Sequence, residues 1–269
     1  MIRLICIDVD GTLIGSSGEV HSEVWSAARQ ARARGVRLAL CSGRPGFGKT
    51  RSIASMLDDT GWHVFQNGAS VLSLGDRGSR STPLSESLVH SLIARANEMN
   101  RCLELYTDTH YVVERAAARA EAHANLLGVP YAPRSFASFL DEGAKVVRAQ
   151  WLLAPEEEAE ERAERSRFPE LEVAASTSPM MPGTLFVNLT MAGTHKGSAV
   201  KAVSEAYGFS LSDVMFVGDS ANDVPAMRIV GHPVAMGNAE HEVNDVARYR
   251  VGHVDAQGLV EAFELAARS

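Results

Sequence analysis

Short apolar runs alternate with segments of helical period along the opening of the chain. Leu4–Ile7 is apolar and rich in β-branched residues, and it stops at Asp8 and Gly11, which predicts a buried strand with its C-terminal end exposed. Val24, Ala27, Ala28 and Ala31 recur on one face of 22–34, and Gly35 follows where a C-terminal cap belongs, so 22–34 reads as a helix. A second apolar run at 36–41 is closed by Ser42-Gly43-Arg44-Pro45. A helical stretch at 49–60 and a short strand at 63–66 come next. This alternation of strand and helix is that of a parallel sheet.

The rhythm changes near Thr82. Leu84, Leu88, Leu92 and Ile93 mark a helix, and 103–106 and 111–114 read as two strands of a hairpin turning through Asp108. An alanine-rich helix covers about 115–127, and strands fall at 146–153, 170–174 and 185–190. The charge-dense segment 156–165 between them predicts a helix with a solvated face. From Lys196 the first rhythm returns. A helix covers 196–207, strands cover 214–217 and 234–236, and 257–267 forms a closing helix. The expected fold class is therefore α/β, with a Rossmann-like parallel-sheet core and an inserted α+β module. The core is drawn at 1–82 and 190–269 and the insertion at 83–189.

Composition narrows the class. The 269 residues are 45% hydrophobic and 22% charged, enough for one large or two modest packed domains and unlike a disordered chain. A formal charge of -7 argues against non-specific nucleic-acid binding, which needs a basic face, while leaving room for a small phosphorylated partner in a local basic pocket. Three cysteines, Cys6, Cys41 and Cys102, do not form a disulfide framework and suit a reducing compartment. No apolar stretch reaches membrane-span length, and the N-terminal run is too short for a signal peptide, so a soluble cytoplasmic protein is expected. Oligomeric state leaves no trace in the pattern.

Four polar clusters follow strands or open a helix. In Asp8-Val9-Asp10-Gly11-Thr12, residues two apart in extended chain project together from the end of the first strand, where open parallel sheets bind ligands. Crowded carboxylates suggest a bound cation, although an acidic turn has the same composition. Ser42-Gly43-Arg44 offers a hydroxyl, an amide and a guanidinium that suit phosphate oxygens, and also suits a plain strand-to-helix turn. Lys196 opens a helix, where the dipole disfavours a cation unless an anion is near. In Gly218-Asp219-Ser220-Ala221-Asn222-Asp223, Asp219 is placed as a hard-cation ligand, with Asp223 behind it. All four fall on one edge of a parallel sheet.

The order and types of these residues resemble the haloacid dehalogenase-like (HAD) hydrolase superfamily, and most closely its Cof-type branch of sugar-phosphate phosphatases. The resemblance spans the whole chain. It rests on Asp-x-Asp-Gly-Thr at 8–12, Ser-Gly-Arg at 42–44, Lys196-Gly197 and Gly-Asp-Ser-Ala-Asn-Asp at 218–223, joined by Asn-Gly-Ala at 67–69 and Ala-Met-Gly-Asn-Ala at 235–239. It implies a Mg²⁺-dependent phosphatase acting on small phosphate monoesters. Asp8 is then the nucleophile that forms an aspartyl-phosphate, and Asp10 the acid and base. Asp8, Asp219 and the Asp10 backbone carbonyl hold Mg²⁺. Ser42, Gly43, Arg44, Lys196 and Asn222 bind phosphate and substrate, and Asp223 orients the lysine or the metal's waters. Asp108, His110, Tyr111, Arg134 and Met180-Met181 are open candidates for contacts beyond the phosphate. A phosphomutase, and a non-catalytic phospholigand-binding regulator, stand as alternatives.

Overall fold

The computed structural model describes residues 1–178 and 180–268, so Ser269, the last residue of the range drawn for the core, and Pro179, within the insertion, lie outside the described residues. The chain divides into two compact units: 1–46, 50–80 and 195–269 form the first, and 47–49 with 81–194 the second.

In the first unit, β1 (Leu4–Asp8), α1 (Ser22–Ala33), β2 (Arg37–Cys41), α2 (Lys49–Asp58) and β3 (Trp62–Phe65) follow the expected alternation. The sequence pattern misses β4 (Ser70–Ser73), which pairs antiparallel with β3 after a three-residue 3-10 turn at Gln66–Gly68. Four residues are too few for a period to show.

The second unit contains α3 (Glu86–Glu98), β5 (Cys102–Tyr106), β6 (Tyr111–Val113), α4 (Ala118–Leu127), α5 (Phe136–Asp141), β7 (Arg148–Leu153), α6 (Glu158–Glu164), β8 (Leu171–Thr177) and β9 (Leu185–Met191). Its five strands form an antiparallel sheet in the order β6-β5-β7-β9-β8. Leu103, Leu105, Ala149, Trp151, Val187 and Leu189 line one face and pack with α3 and α5 residues in a common core. The charged segment around α6 is not simply solvated. Buried Arg101 pairs with Glu160 at 2.9 Å and Glu164 at 3.1 Å, and Arg95 also binds Glu164. Guanidinium groups brought from α3 and its C-terminal end make this face an ion-pair seam, which periodicity along α6 alone cannot reveal.

The chain then returns to the first unit with α7 (Lys196–Tyr207), β10 (Val214–Gly218), α8 (Val224–Met227), β11 (His232–Ala235), α9 (His241–Val246), β12 (Tyr249–Arg250) and α10 (Gly258–Arg268). The seven-stranded sheet runs β12-β11-β10-β1-β2-β3-β4, parallel except for β4. Alternate residues of β1 and β10 feed two cores. Ile5, Ile7, Met215 and Val217 face α1 and α10, whereas Leu4, Cys6, Val214 and Phe216 pack with Ala199, Val200 and Val203 of α7. A central parallel strand covered on both faces has no polar side, which explains its unbroken apolar run. Cys6 and Cys41 are buried thiols and Cys102 is half-buried, none in a disulfide. Among the described residues, no helix is long and apolar enough to cross a membrane.

Candidate active site

β1 and β10 are hydrogen-bonded neighbours, paired from Leu4↔Val214 to Ile7↔Val217. Their register brings Asp8, the last residue of β1, and Asp219, which follows β10, to one sheet edge. The chain order β2-β1-β10 reverses direction about β1, and such a switch point opens a crevice at the strand ends. Asp8 closes β1 with only 4% of its surface exposed.

Lys196 is buried at the start of α7, where its Nζ lies 2.6 Å from Asp8 Oδ1, 2.6 Å from Asp223 Oδ1 and 3.1 Å from Asn222 Oδ1. The two carboxylates offset the unfavourable place of a cation at a helix N-terminus. Burial by itself would push the Lys196 ammonium down, but Asp223 and Asp8 outweigh it and hold it above its ordinary value. His195 caps the helix, its Nδ1 accepting from the Ser198 N–H at 3.1 Å.

Asp223 has both oxygens occupied. Oδ1 accepts from Lys196, and Oδ2 accepts from the backbone N–H groups of Asp219 at 3.0 Å and Ser220 at 3.1 Å. It therefore ties the loop after β10 to the lysine. Asp219 accepts from the Thr12 hydroxyl at 2.9 Å, and the Asn238 amide holds it at 3.4 Å while donating to the Gly11 carbonyl at 2.8 Å. Gly11 has φ +85°, and a Cβ there would lie 2.1 Å from Asp219 Oδ2, so only glycine passes this close.

Carboxylate oxygens of Asp8, Asp219 and Asp223 lie within 4.8 Å of one another. Burial, then Asp223, raises Asp8 well above the usual carboxylate range against the pull of Lys196. Burial also carries Asp219 up to about 6, with Asp223 adding to the rise and the Thr12 hydroxyl opposing it. Three clustered carboxylates against one ammonium leave a charge deficit that one divalent cation balances. All-oxygen donors of this kind suit a hard cation. The residues present thus fit a divalent metal.

The remaining expected residues are placed as follows. Asp10 does not join the carboxylate cluster; its side chain is exposed and bound by Arg44, with Nε 3.0 Å from Oδ2 and Nη2 on Oδ1. Arg44, expected on substrate, is occupied by this bidentate pair. Ser42 is buried at the end of β2, its hydroxyl oxygen accepting from the Arg44 N–H at 3.0 Å. Gly43 runs beside Asn67, where a Cβ would lie 3.1 Å from Asn67 Oδ1. Asn222 joins the site through Lys196 and donates from Nδ2 to Asn67 Oδ1 at 3.1 Å. Thr12, Asn67 and Asn238 belong to the quoted motifs, yet pattern alone assigned them no role; only the fold shows what they touch. In the second unit, Asp108 accepts from Ser81, Arg134 pairs with Glu142, and Tyr111 stacks on Tyr106 and Phe47.

A family model described as haloacid dehalogenase-like hydrolase matches residues 5–263. The 5-amino-6-(5-phospho-D-ribitylamino)uracil phosphatase YwtE of Bacillus subtilis is 23% identical over 278 residues, covering 96% of each chain. A haloacid dehalogenase-like hydrolase from Bacteroides thetaiotaomicron superposes with a TM-score of 0.84 at 25% identity, over 98% of this chain and 99% of that one. The subclass IIB sugar phosphatase BT4131 superposes at 0.78 with 21% identity, over 98% and 99% of the two chains. Matched from β1 to α10, with buried Asp8 and Lys196 at the switch point of its sheet, the chain belongs to the haloacid dehalogenase-like hydrolase superfamily, as a phosphatase of its Cof-type branch.

Proposed function

We propose that this protein hydrolyses small phosphate monoesters, sugar phosphates or phosphorylated cofactors, with Mg²⁺ and through an aspartyl-phosphate on Asp8. The observation that carries the reading is the buried pairing of Lys196 with Asp8 beside Asp219, a nucleophile held next to a cation and a surplus of carboxylate. The Asp8 oxygen attacks phosphorus, and the bond to the leaving oxygen breaks as Asp10 supplies that oxygen's proton. Water then attacks the same phosphorus, Asp10 takes the water's proton, and inorganic phosphate leaves as the Asp8 carboxylate is restored. Bound Mg²⁺ would be held by Asp8, Asp219 and the Asp10 carbonyl, and would neutralise the phosphate so that one anion can approach another. Ser42, Gly43, Lys196 and Asn222 hold phosphoryl oxygens where charge concentrates, and Asp223 keeps Lys196 in place. Arg44 holds Asp10 until substrate arrives and then shares its guanidinium with the phosphate.

The first unit is the catalytic core and the second the cap domain that tells one ester from another. The setting is cytoplasmic, with small phosphorylated metabolites as the partners.

The test is a panel of esters assayed with Mg²⁺ and ranked by kcat/KM. It should include hexose and pentose phosphates, pyridoxal phosphate, FMN and 5-amino-6-(5-phospho-D-ribitylamino)uracil. Release of inorganic phosphate that stops on chelation and resumes with Mg²⁺ supports the reading. No phosphate release from any ester overturns it.

A further inference from the structure

The turn after β3 is strained in an unusual way. Gln66, Asn67 and Gly68 all have positive φ, at 55°, 54° and 106°. Two consecutive non-glycine residues in this region cost conformational energy, and such strain persists only where surroundings impose it. Here they do. The Gln66 N–H donates to the Arg44 carbonyl and the Asn67 N–H to the Ser42 carbonyl, both at 3.0 Å. A Cβ on Gly68 would lie 2.5 Å from the His195 carbonyl oxygen, so the turn is pressed between the loop after β2 and the residue that caps α7.

This turn aims one side chain at the site. Asn67 Oδ1 accepts from Asn222 Nδ2 at 3.1 Å. Asn222 Oδ1 accepts from Lys196 Nζ at 3.1 Å and from the Ser220 hydroxyl at 3.0 Å. An ammonium can only donate, so it fixes the oxygen of Asn222 toward itself and the nitrogen away. That nitrogen needs an acceptor, and Asn67 supplies it. Without this acceptor the amide is held only at its oxygen, and the direction in which it meets Lys196 is less closely set.

We infer that Asn67 is a positioning residue for phosphoryl transfer: its left-handed turn and amide oxygen lock Asn222, and through it Lys196, in the orientation that receives the phosphoryl group. This rests on the function proposed above. Because the lock sets direction rather than charge, it matters most where geometry is most demanding, at the five-coordinate arrangement of the transferring phosphoryl group.

A double-mutant cycle tests it. Asn67→Gly tolerates the left-handed backbone and removes the side chain that carries the amide. Orthovanadate, which adopts the five-coordinate arrangement, should bind this variant about tenfold more weakly, while inorganic phosphate changes less than about threefold. A fall in kcat of similar size at nearly constant KM should accompany it. In an Asn222→Ala background the same change should have almost no effect, because the group it acts through is gone. Additive losses in the cycle, or unchanged orthovanadate affinity in Asn67→Gly, overturn the inference. Should Asn67→Gly not fold, Asn67→Ala is carried through the same cycle with the same two readings. A wild-type protein that neither binds orthovanadate nor hydrolyses an ester counts against the proposed function; an active wild type with an additive cycle counts against Asn67 alone.

Discussion

The Lys196 ammonium lies 2.6 Å from Asp8 Oδ1, and both side chains are almost wholly withdrawn from water, at 1% and 6% exposure. Breaking a buried pair of this kind leaves an uncompensated charge, whereas the pair together is neutral. In this protein the balance is shifted further, because Asp223 and Asp219 add carboxylates that the lysine alone does not match.

Asp8→Asn should therefore end catalysis without loosening the fold. The folded state holds the Asp8 carboxyl above its ordinary value, through burial and then Asp223, so ionising it costs stability as pH rises past its unfolded value. An amide removes that cost. Metal-free Asp8→Asn should melt above the metal-free wild type at pH 8, and the difference should narrow as pH falls. Thermal melts and phosphate release measure the two halves, and a variant retaining more than a few per cent of turnover would exclude Asp8 as nucleophile.

Mg²⁺ should stabilise the wild type in a pH-dependent way. Protons compete with the cation for carboxylates, and Asp219 is raised to about 6, by burial first. Saturating the site at a hundred times the dissociation constant contributes about 2.7 kcal/mol. That gain should be present at pH 8 and shrink as pH falls through 6. Melting temperatures with Mg²⁺ and with chelator, compared at pH 8 and pH 5, check it; equal shifts at both values contradict the assignment of Asp219.

Gly11→Ala should damage the metal site more than the fold. The new Cβ would lie 2.1 Å from Asp219 Oδ2 at φ +85°. The loop must shift or Asp219 must turn away, at a cost of about 1–3 kcal/mol for a strained position. Calorimetric titration with Mg²⁺ should show at least tenfold weaker binding, while far-UV circular dichroism stays as in the wild type.

His63 should give the fold an acid-sensitive joint. Its Nδ1 accepts from the Leu40 N–H at 3.0 Å and its Nε2 donates to the Asp58 carbonyl at 2.8 Å, which requires the neutral ring. Burial pushes the ring down to about 4. The unfolded chain takes up a proton near 6.5 and the folded chain does not, so stability is full above 6.5 and declines down to about 4, by about 3 kcal/mol in all. Urea unfolding at several pH values should show a steeper acid loss in the wild type than in His63→Asn. Parallel pH curves would remove His63 from this role.

Much of the candidate site was legible because its residues end apolar runs. Asp8, Ser42 and Asp219 each close a buried strand, and Lys196 opens a helix at the residue expected. What pattern could not reach is partnership. The two oxygens of Asp10 meet Arg44, and Asn67 meets Asn222 across 155 positions. Neither pairing leaves a periodic mark. The same limit hid the Arg95 and Arg101 partners of α6, and the brevity of β4 and β12 hid two strands.

The central place of β1 has a consequence for biosynthesis. One edge of β1 pairs with β2, which emerges early, but the other pairs with β10, which begins only at Val214. A growing chain thus exposes an unpaired apolar strand edge through the synthesis of the whole second unit. Until residue 223 has emerged, Asp8 also lacks the full set of charged groups that surround it in the folded chain. The charged cluster around Asp8 is completed late, while the nascent chain carries its aggregation hazard from the start.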